Sequence, residues 1–145
     1  MAAYNKFNIF VENVIKGVHN FTPSTGHTFK TMLTNVAPIA TNAVKGDLTE
    51  ITAANGYSAG GGATTISAAS QSSGVLKAVI NPDVIFTAAG GTIGPLRYVV
   101  FYNDTPSSPL KPLISFWDFG SSVTLNDTET FTVDYDQTNG VFTLA

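Results

Sequence analysis

The sequence predicts a mainly β protein: an antiparallel β-sandwich, jelly-roll-like in arrangement, with a short N-terminal helix or arm. Short runs of β-branched and aromatic residues recur along the chain, and Gly, Pro, Asn and Asp separate them at short, regular intervals. Such a succession is typical of sandwiches and jelly rolls. Because 145 residues suit one compact unit, we expect a single domain over residues 1–145, in which residues 1–22 form the helix or arm.

The first segment carries apolar residues at helical spacing. This spacing predicts a short amphipathic helix that ends near Gly17. Asn and β-branched residues weaken the helical preference, so an extended arm is the alternative. In either form, the segment packs over one end of the sheet or docks on a neighbouring protein. The apolar positions are Phe7, Phe10, Val11, Val14, Ile15 and Val18.

The remainder of the chain is predicted to contain about nine strands. A polar, Pro-containing passage with one helical turn at Asp47–Ile51 follows the first strand, and a flexible Gly-rich loop at 55–62 comes before the second. The predicted strands are His27–Leu33, Thr64–Ser70, Gly74–Ile80, Val84–Thr87, Leu96–Tyr102, Leu113–Phe119, Val123–Leu125, Thr130–Tyr135 and Val141–Leu144.

The stretch from 84 to 104 has the clearest strand pattern. Val84–Thr87 and Leu96–Tyr102 flank a break of Gly and Pro at 90–95, which is typical of paired strands. A strand that hides both faces is central to a sandwich or lies under another subunit. Leu96–Tyr102 fits that description, because both of its alternating sets are apolar: Tyr98, Val100 and Tyr102 on one face, Val99 and Phe101 on the other.

The C-terminal strands show two further patterns. Apolar and polar residues alternate over 130–136, which predicts a half-exposed strand, and Asn139-Gly140 is a favoured dipeptide for a tight hairpin turn. Both faces of Leu113–Phe119 are largely apolar, and we expect its aromatic residues to lie in the core: Phe116, Trp117 and Phe119.

The composition points to an assembly and argues against several partners. Charged residues make up 12% of the chain, about half the usual share of ~25%. The net charge is −3 and the basic residues are scattered, so we expect no nucleic-acid partner. The N-terminus has no unbroken apolar core of a signal peptide, and no run approaches the ~18 residues of a membrane span. We therefore expect a protein that is made without secretion, has no membrane partner and functions as an oligomer.

Residues capable of chemistry are few and do not form a recognised motif. The chain has no cysteine, and neither His19 nor His27 stands in a nucleophile motif. Asp134 and Asp136 lie two residues apart on one strand face, which is typical of a solvated edge. The Gly-rich loop lacks the Lys-Ser/Thr ending of a phosphate-binding loop. We expect no catalytic residues, no cofactor, no metal and no enzymatic activity.

Several strings resemble a known family. GVHNF (17–21), FKTMLTNVAPIATNAV (29–44), DLTEI (47–51) and NGYSAGG (55–61) are similar to the first half of small structural proteins of tailed bacteriophages. GGTIGPLRYVVFYND (90–104), KPLISFWDFGSSVTL (111–125) and ETFTVDYDQTNGVFTLA (129–145) resemble the second half. Some members resemble capsid decoration, or cement, proteins. The resemblance implies a homotrimer that is made in the bacterial cytoplasm, binds the major capsid protein on the outside of the head, and stabilises the shell.

Two sets of contact residues follow from this interpretation. We expect Phe7 and Phe10 to contact the capsid, and Tyr98, Val100 and Tyr102 to form intersubunit contacts. The alternative function is a tail- or fibre-associated host-recognition module that binds glycan, with Tyr57, Tyr102 or Trp117 as a stacking face. A hydrolase is a third class, for which the sequence names no acid–base constellation.

Overall fold

The computed structural model describes residues 4–144 and confirms a mainly β, antiparallel, sandwich-like fold with an N-terminal helix. Within these residues there are ten strands, one α-helix, α1 (Asn8–Ile15), and a short 3₁₀ turn at Lys45–Asp47. The strands are β1 (Tyr4–Lys6), β2 (Phe29–Thr34), β3 (Gly62–Thr64), β4 (Ile66–Ser72), β5 (Val75–Ile80), β6 (Val84–Thr87), β7 (Ile93–Asn103), β8 (Leu113–Leu125), β9 (Thr130–Val133) and β10 (Phe142–Leu144).

The strands of the described chain form three sheets. A five-stranded sheet has the order β1-β8-β7-β2-β3, a three-stranded sheet the order β10-β5-β4, and a two-stranded sheet pairs β6 with β9. The main core contains residues of all three sheets, so the large sheet packs against the two smaller ones. This division into five, three and two strands is sandwich-like, and it does not confirm the jelly-roll arrangement.

Strand β7 lies in the middle of the large sheet, between β2 and β8, and both of its faces are buried as predicted. Val99 and Phe101 point into the main core. Val100 and Tyr102 point the other way, into a second and smaller core. Alternation along one strand thus supplies side chains to two cores.

The second core is covered by the chain itself and not by another subunit. Phe7, which precedes α1, is fully buried there beside Met32 and Leu113. Ile9 and Leu48 are half-buried and pack against the same cluster. The N-terminal segment of the same molecule therefore packs on the apolar outer face of β7.

Helix α1 is confirmed, with a shorter extent than the apolar pattern indicated. Gly17 follows it with a φ of +69°, a left-handed conformation that glycine adopts without strain. The amide of Gly17 donates to the carbonyl of Val14 (3.1 Å), and the amide of Val18 donates to Asn13 (2.9 Å). These bonds close the helix and turn the chain back toward the sheet.

Two predicted strand pairings are wrong. The runs on either side of the 90–95 break do not pair with each other, because β6 pairs with β9 whereas β7 pairs with β2 and β8. The Asn139-Gly140 turn does not join a hairpin either, since β10 pairs with β5. In both cases the neighbour along the sequence belongs to a different sheet, and local turn chemistry carries no information about that choice.

Two glycines predicted to end strands lie inside them. Gly94 is part of β7, with a φ of +119°, and a Cβ there would lie 2.9 Å from the carbonyl oxygen of Val123 on β8. Gly120 lies within β8, where the register passes from the pair Tyr98–Asp118 to the pair Leu96–Val123. Residues 119–122 therefore bulge from β8, which continues to Leu125.

Candidate functional site

The residues predicted to contact the capsid are in the interior. Phe7 is 0% exposed and Phe10 is 1% exposed. The ring of Phe10 packs against Phe142, with centroids 5.2 Å apart, and against His19 at 5.6 Å. Neither side chain presents a surface to a partner, so the burial of Phe7 and Phe10 contradicts their prediction as capsid contacts.

The predicted intersubunit contacts are buried as well. Val100 and Tyr102 are fully buried in the second core, and Tyr98 is 9% exposed, under the guanidinium of Arg97 at 5.3 Å. The Tyr102 hydroxyl donates to the carbonyl of Gly60 at 2.8 Å. These three residues pack within the chain itself, and this corrects their assignment to a contact between subunits.

A different part of the N-terminal region is exposed and apolar. Val11 and Ile15 lie four residues apart on the outer face of α1 and are 47% and 84% exposed. The loop that carries the exposed Val36 and Ile39 abuts the start of the helix, because the amide of Asn8 donates to the Ala40 carbonyl at 2.9 Å. We call these four residues, Val11, Ile15, Val36 and Ile39, the helix-end surface.

The helix-end surface carries few charges. Glu12 on α1 and Lys16, which follows the helix, flank it and form an ion pair with each other. The loop from Asn35 to Val44 contains no charged residue. An apolar surface whose neighbouring charges neutralise each other is suited to contact with another protein.

A second surface is an open groove of about 460 Å³ between β8 and β9, beside the edge strand β1. We call it the aromatic groove. Tyr135 is buried, and its hydroxyl is hydrogen-bonded to Thr31 of β2. The aromatic and acidic residues of its lining are Tyr4, Trp117, Phe119, Phe131, Tyr135, Asp134 and Asp136.

The rings of the aromatic groove are held by contacts with one another. Tyr4 meets Trp117 edge to face, with centroids 5.7 Å apart, and Phe119 meets Phe131 in the same way at 5.5 Å. Phe119 lies on the bulge of β8 and is 52% exposed, so its prediction as a core residue is wrong. The sequence signal for this bulge is Gly120, which lies inside β8 with a φ of +99°, because a glycine within a strand often marks a bulge.

The two carboxylates of the aromatic groove differ in their surroundings. Asp136 accepts hydrogen bonds from the amides of Thr138 (3.0 Å) and Asn139 (2.7 Å) and from the Asn139 side chain, and these hold its pKa below the usual range. Asp134 is exposed, and within residues 4–144 its carboxylate has no hydrogen-bond or ion-pair partner. Asp136 therefore shapes the turn, whereas Asp134 is available to a ligand.

The two histidines share one amide. The side-chain nitrogen of Asn103 lies 3.1 Å from Nδ1 of His19 and 2.9 Å from Nδ1 of His27. The Asn103 oxygen accepts the amide of Thr105 at 3.2 Å, which fixes the orientation of the side chain. Both histidines therefore accept a hydrogen bond from the Asn103 amide through Nδ1. Burial lowers the pKa of His19 to about 4, and the nearby His27 adds to this shift.

Glu50 organises the Gly-rich loop. Its carboxylate accepts hydrogen bonds from Lys45 (2.7 Å), from the Tyr57 hydroxyl (2.7 Å) and from the amide of Gly60 (2.6 Å). Burial alone would raise the pKa of Glu50, but these donors hold it below the usual value. A Cβ at Gly61 would lie 1.9 Å from the Thr31 carbonyl oxygen, so close packing on β2 accounts for that glycine.

We expect the substitution Glu50→Ala to lower the free energy of unfolding by about 2–3 kcal/mol, because it leaves three buried or half-buried donors without their acceptor. Urea denaturation followed by circular dichroism measures the loss. Glu12→Ala is the control, since the Glu12–Lys16 pair is exposed and contributes about 0.5 kcal/mol or less. Equal losses in the two variants would contradict a structural role for Glu50.

Residues 4–144 contain no group of three or more His, Asp or Glu side chains arranged to hold a metal ion. In the same residues, no helix is long and apolar enough to cross a membrane. Comparisons with known protein families, with curated proteins and with solved structures find no match for this chain.

Proposed function

We propose that this protein is a structural component of a tailed-bacteriophage virion, and that it decorates the outside of the capsid as a trimer bound to the major capsid protein. The sequence strings that resemble phage structural proteins suggest the particle. The observation that carries the docking role is the helix-end surface, on which large apolar side chains are exposed in a chain with only 12% charged residues.

The helix-end surface can contribute hydrophobic binding energy to an interface with the capsid. Full burial of one such side chain contributes ~1.5–3 kcal/mol before the cost of association. A single copy would then bind weakly, whereas three linked copies on a repeating lattice gain from avidity. A trimer that reaches across several capsid subunits would tie them together against the pressure of packaged DNA.

The mode of binding follows from the charges. The four residues of the surface are uncharged, and Glu12 and Lys16 neutralise each other beside them. Salt screens interactions between exposed charges and leaves apolar contacts intact or strengthens them. Attachment to the capsid should therefore persist at high ionic strength.

We expect the purified protein to run as a trimer in light scattering, and to co-sediment with expanded capsids but not with unassembled capsid subunits. Ile15→Asp should abolish co-sedimentation, because it places a charge on the most exposed side chain of the helix-end surface. Ile85→Asp is the matched control, since Ile85 is 60% exposed on β6, outside the helix-end surface.

A stable monomer that does not co-sediment with capsids would overturn the proposal. Immunogold labelling of the parent particle provides a second readout, because label on the tail instead of the head would favour the host-recognition alternative. Loss of binding in both Ile15→Asp and Ile85→Asp would show that capsid attachment does not depend specifically on the helix-end surface.

A further inference from the structure

We infer that the aromatic groove is a binding site for a neutral carbohydrate, a ligand class beyond the proposed attachment to a capsid. The inference rests on the size of the groove, on its exposed rings and on one unpartnered carboxylate. None of these features involves the helix-end surface.

The size of the groove favours a mono- or disaccharide. Its volume of about 460 Å³ falls within the range of small-molecule sites, ~300–1,000 Å³. A single cationic side chain from a partner protein would fill only a small part of that space. A sugar ring or two would occupy it and would exclude water from its floor at Tyr135.

The rings supply apolar faces at the mouth of the groove. Tyr4 is 39% exposed and Phe119 is 52% exposed, while Trp117 and Phe131 are half-buried beside them. Sugar rings carry patches of C–H bonds that pack on the electron-rich faces of aromatic rings. Because these rings already contact each other edge to face, they need little ordering when a ligand binds.

The polar groups of the groove favour a ligand that carries hydroxyl groups and no negative charge. Thr132 and Asp134 line the groove and are exposed, two residues apart, on the strand face opposite to Phe131 and Tyr135, so they lie at its edge. The Asp134 carboxylate can accept hydrogen bonds from two sugar hydroxyls, and such charge-assisted bonds are stronger than neutral ones. No Lys, Arg or His is among the lining residues in the described chain, so an anionic sugar would meet only carboxylates.

Trp117 makes the test direct, because it is the only tryptophan of the chain and lies in the groove. Its fluorescence is recorded while cellobiose, maltose, lactose or N,N′-diacetylchitobiose is added to the full-length protein. We expect a saturable change with at least one of these neutral disaccharides. Glucuronate and choline serve as the anionic and cationic probes, and we expect neither to saturate.

Variants then locate the binding site. Phe119→Ala and Asp134→Ala should each weaken binding of the responding disaccharide by about tenfold or more, as measured by calorimetry. Leu110→Ala is the control, because Leu110 is 62% exposed outside the groove, and its affinity should be unchanged. Both groove side chains are exposed, so both variants should fold, and Phe119→Ala should lose only the contribution of its contact with Phe131.

Three results would overturn the inference: no saturation with any neutral disaccharide, saturation with choline alone, or equal affinity in the Phe119→Ala, Asp134→Ala and parent proteins. Failure of capsid co-sedimentation would not affect it. The two proposals therefore fail through different measurements.

Discussion

Replacing Phe10 by alanine is expected to lower the free energy of unfolding by about 3–5 kcal/mol, the usual loss when a fully buried phenylalanine is truncated. Phe10 is 1% exposed and packs against the rings of His19 and Phe21, which follow it closely in the chain, and of Phe142 near the C-terminus. Its removal leaves a cavity at the point where α1 is attached to the core. Urea denaturation followed by Trp117 fluorescence measures the change.

The matched control for Phe10→Ala is Ile15→Ala on the same helix. Ile15 is 84% exposed, and alanine favours the helix, so its stability should change by less than about 0.5 kcal/mol. The two substitutions distinguish a side chain that attaches α1 to the core from one that is available to the capsid. A Phe10→Ala protein that is as stable as the parent and deficient only in capsid binding would contradict the packing and restore Phe10 as a contact residue.

The fold class could be predicted because its signals are local. Alternation, β-branched residues and turn residues lie within a few positions of each other, and they placed Val84–Thr87 correctly as β6 and the helix in the first segment. Pairing is a long-range property. The partner of β6 is β9, more than forty residues away, and nothing in residues 84–104 distinguishes that strand from β7.

The candidate sites were harder to predict, since apolar character does not say which surface covers a residue. Sequence reasoning assigns Tyr102 and Phe7 to two different interfaces, whereas the structure packs them together in one core. The apolar pattern predicts a core position for Phe119, but the side chain is exposed because β8 bulges there. Periodicity identifies an apolar face, and only the tertiary arrangement decides between self-packing and contact with a partner.

Acid is expected to destabilise the protein through His19 before its carboxylates contribute. The pKa of His19 is about 4 in the folded protein and 6.5 in the unfolded chain, so the unfolded state binds more protons between these values. The contribution of neutral His19 is complete above pH 6.5 and is lost as the pH falls from 6.5 toward 4. From pH 7.5 to pH 5 this linkage amounts to about 2 kcal/mol.

The surroundings of His19 explain why protonation is costly. The ring lies between Phe10 and Phe21 and accepts a hydrogen bond from Asn103, so a proton on Nδ1 would face another donor. The titratable neighbour is His27, which accepts from the same amide, and the carboxylate of Asp104, the residue after Asn103, is paired with Lys30 and Lys111. No anion compensates the imidazolium at this point in the described chain.

The test is the free energy of unfolding of the parent, His19→Gln and His27→Gln proteins at pH 7.5, 6 and 5. Glutamine cannot be protonated in this range, so His19→Gln should lose most of the decline, whereas His27→Gln should keep the larger part of it because His19 remains buried. Carboxylates with lowered pKa, such as Glu50, lose their contribution only below about pH 4.5, outside this window. A decline of the same size in His19→Gln, or an imidazole NMR titration of His19 centred near 6.5, would show that burial does not keep this ring neutral.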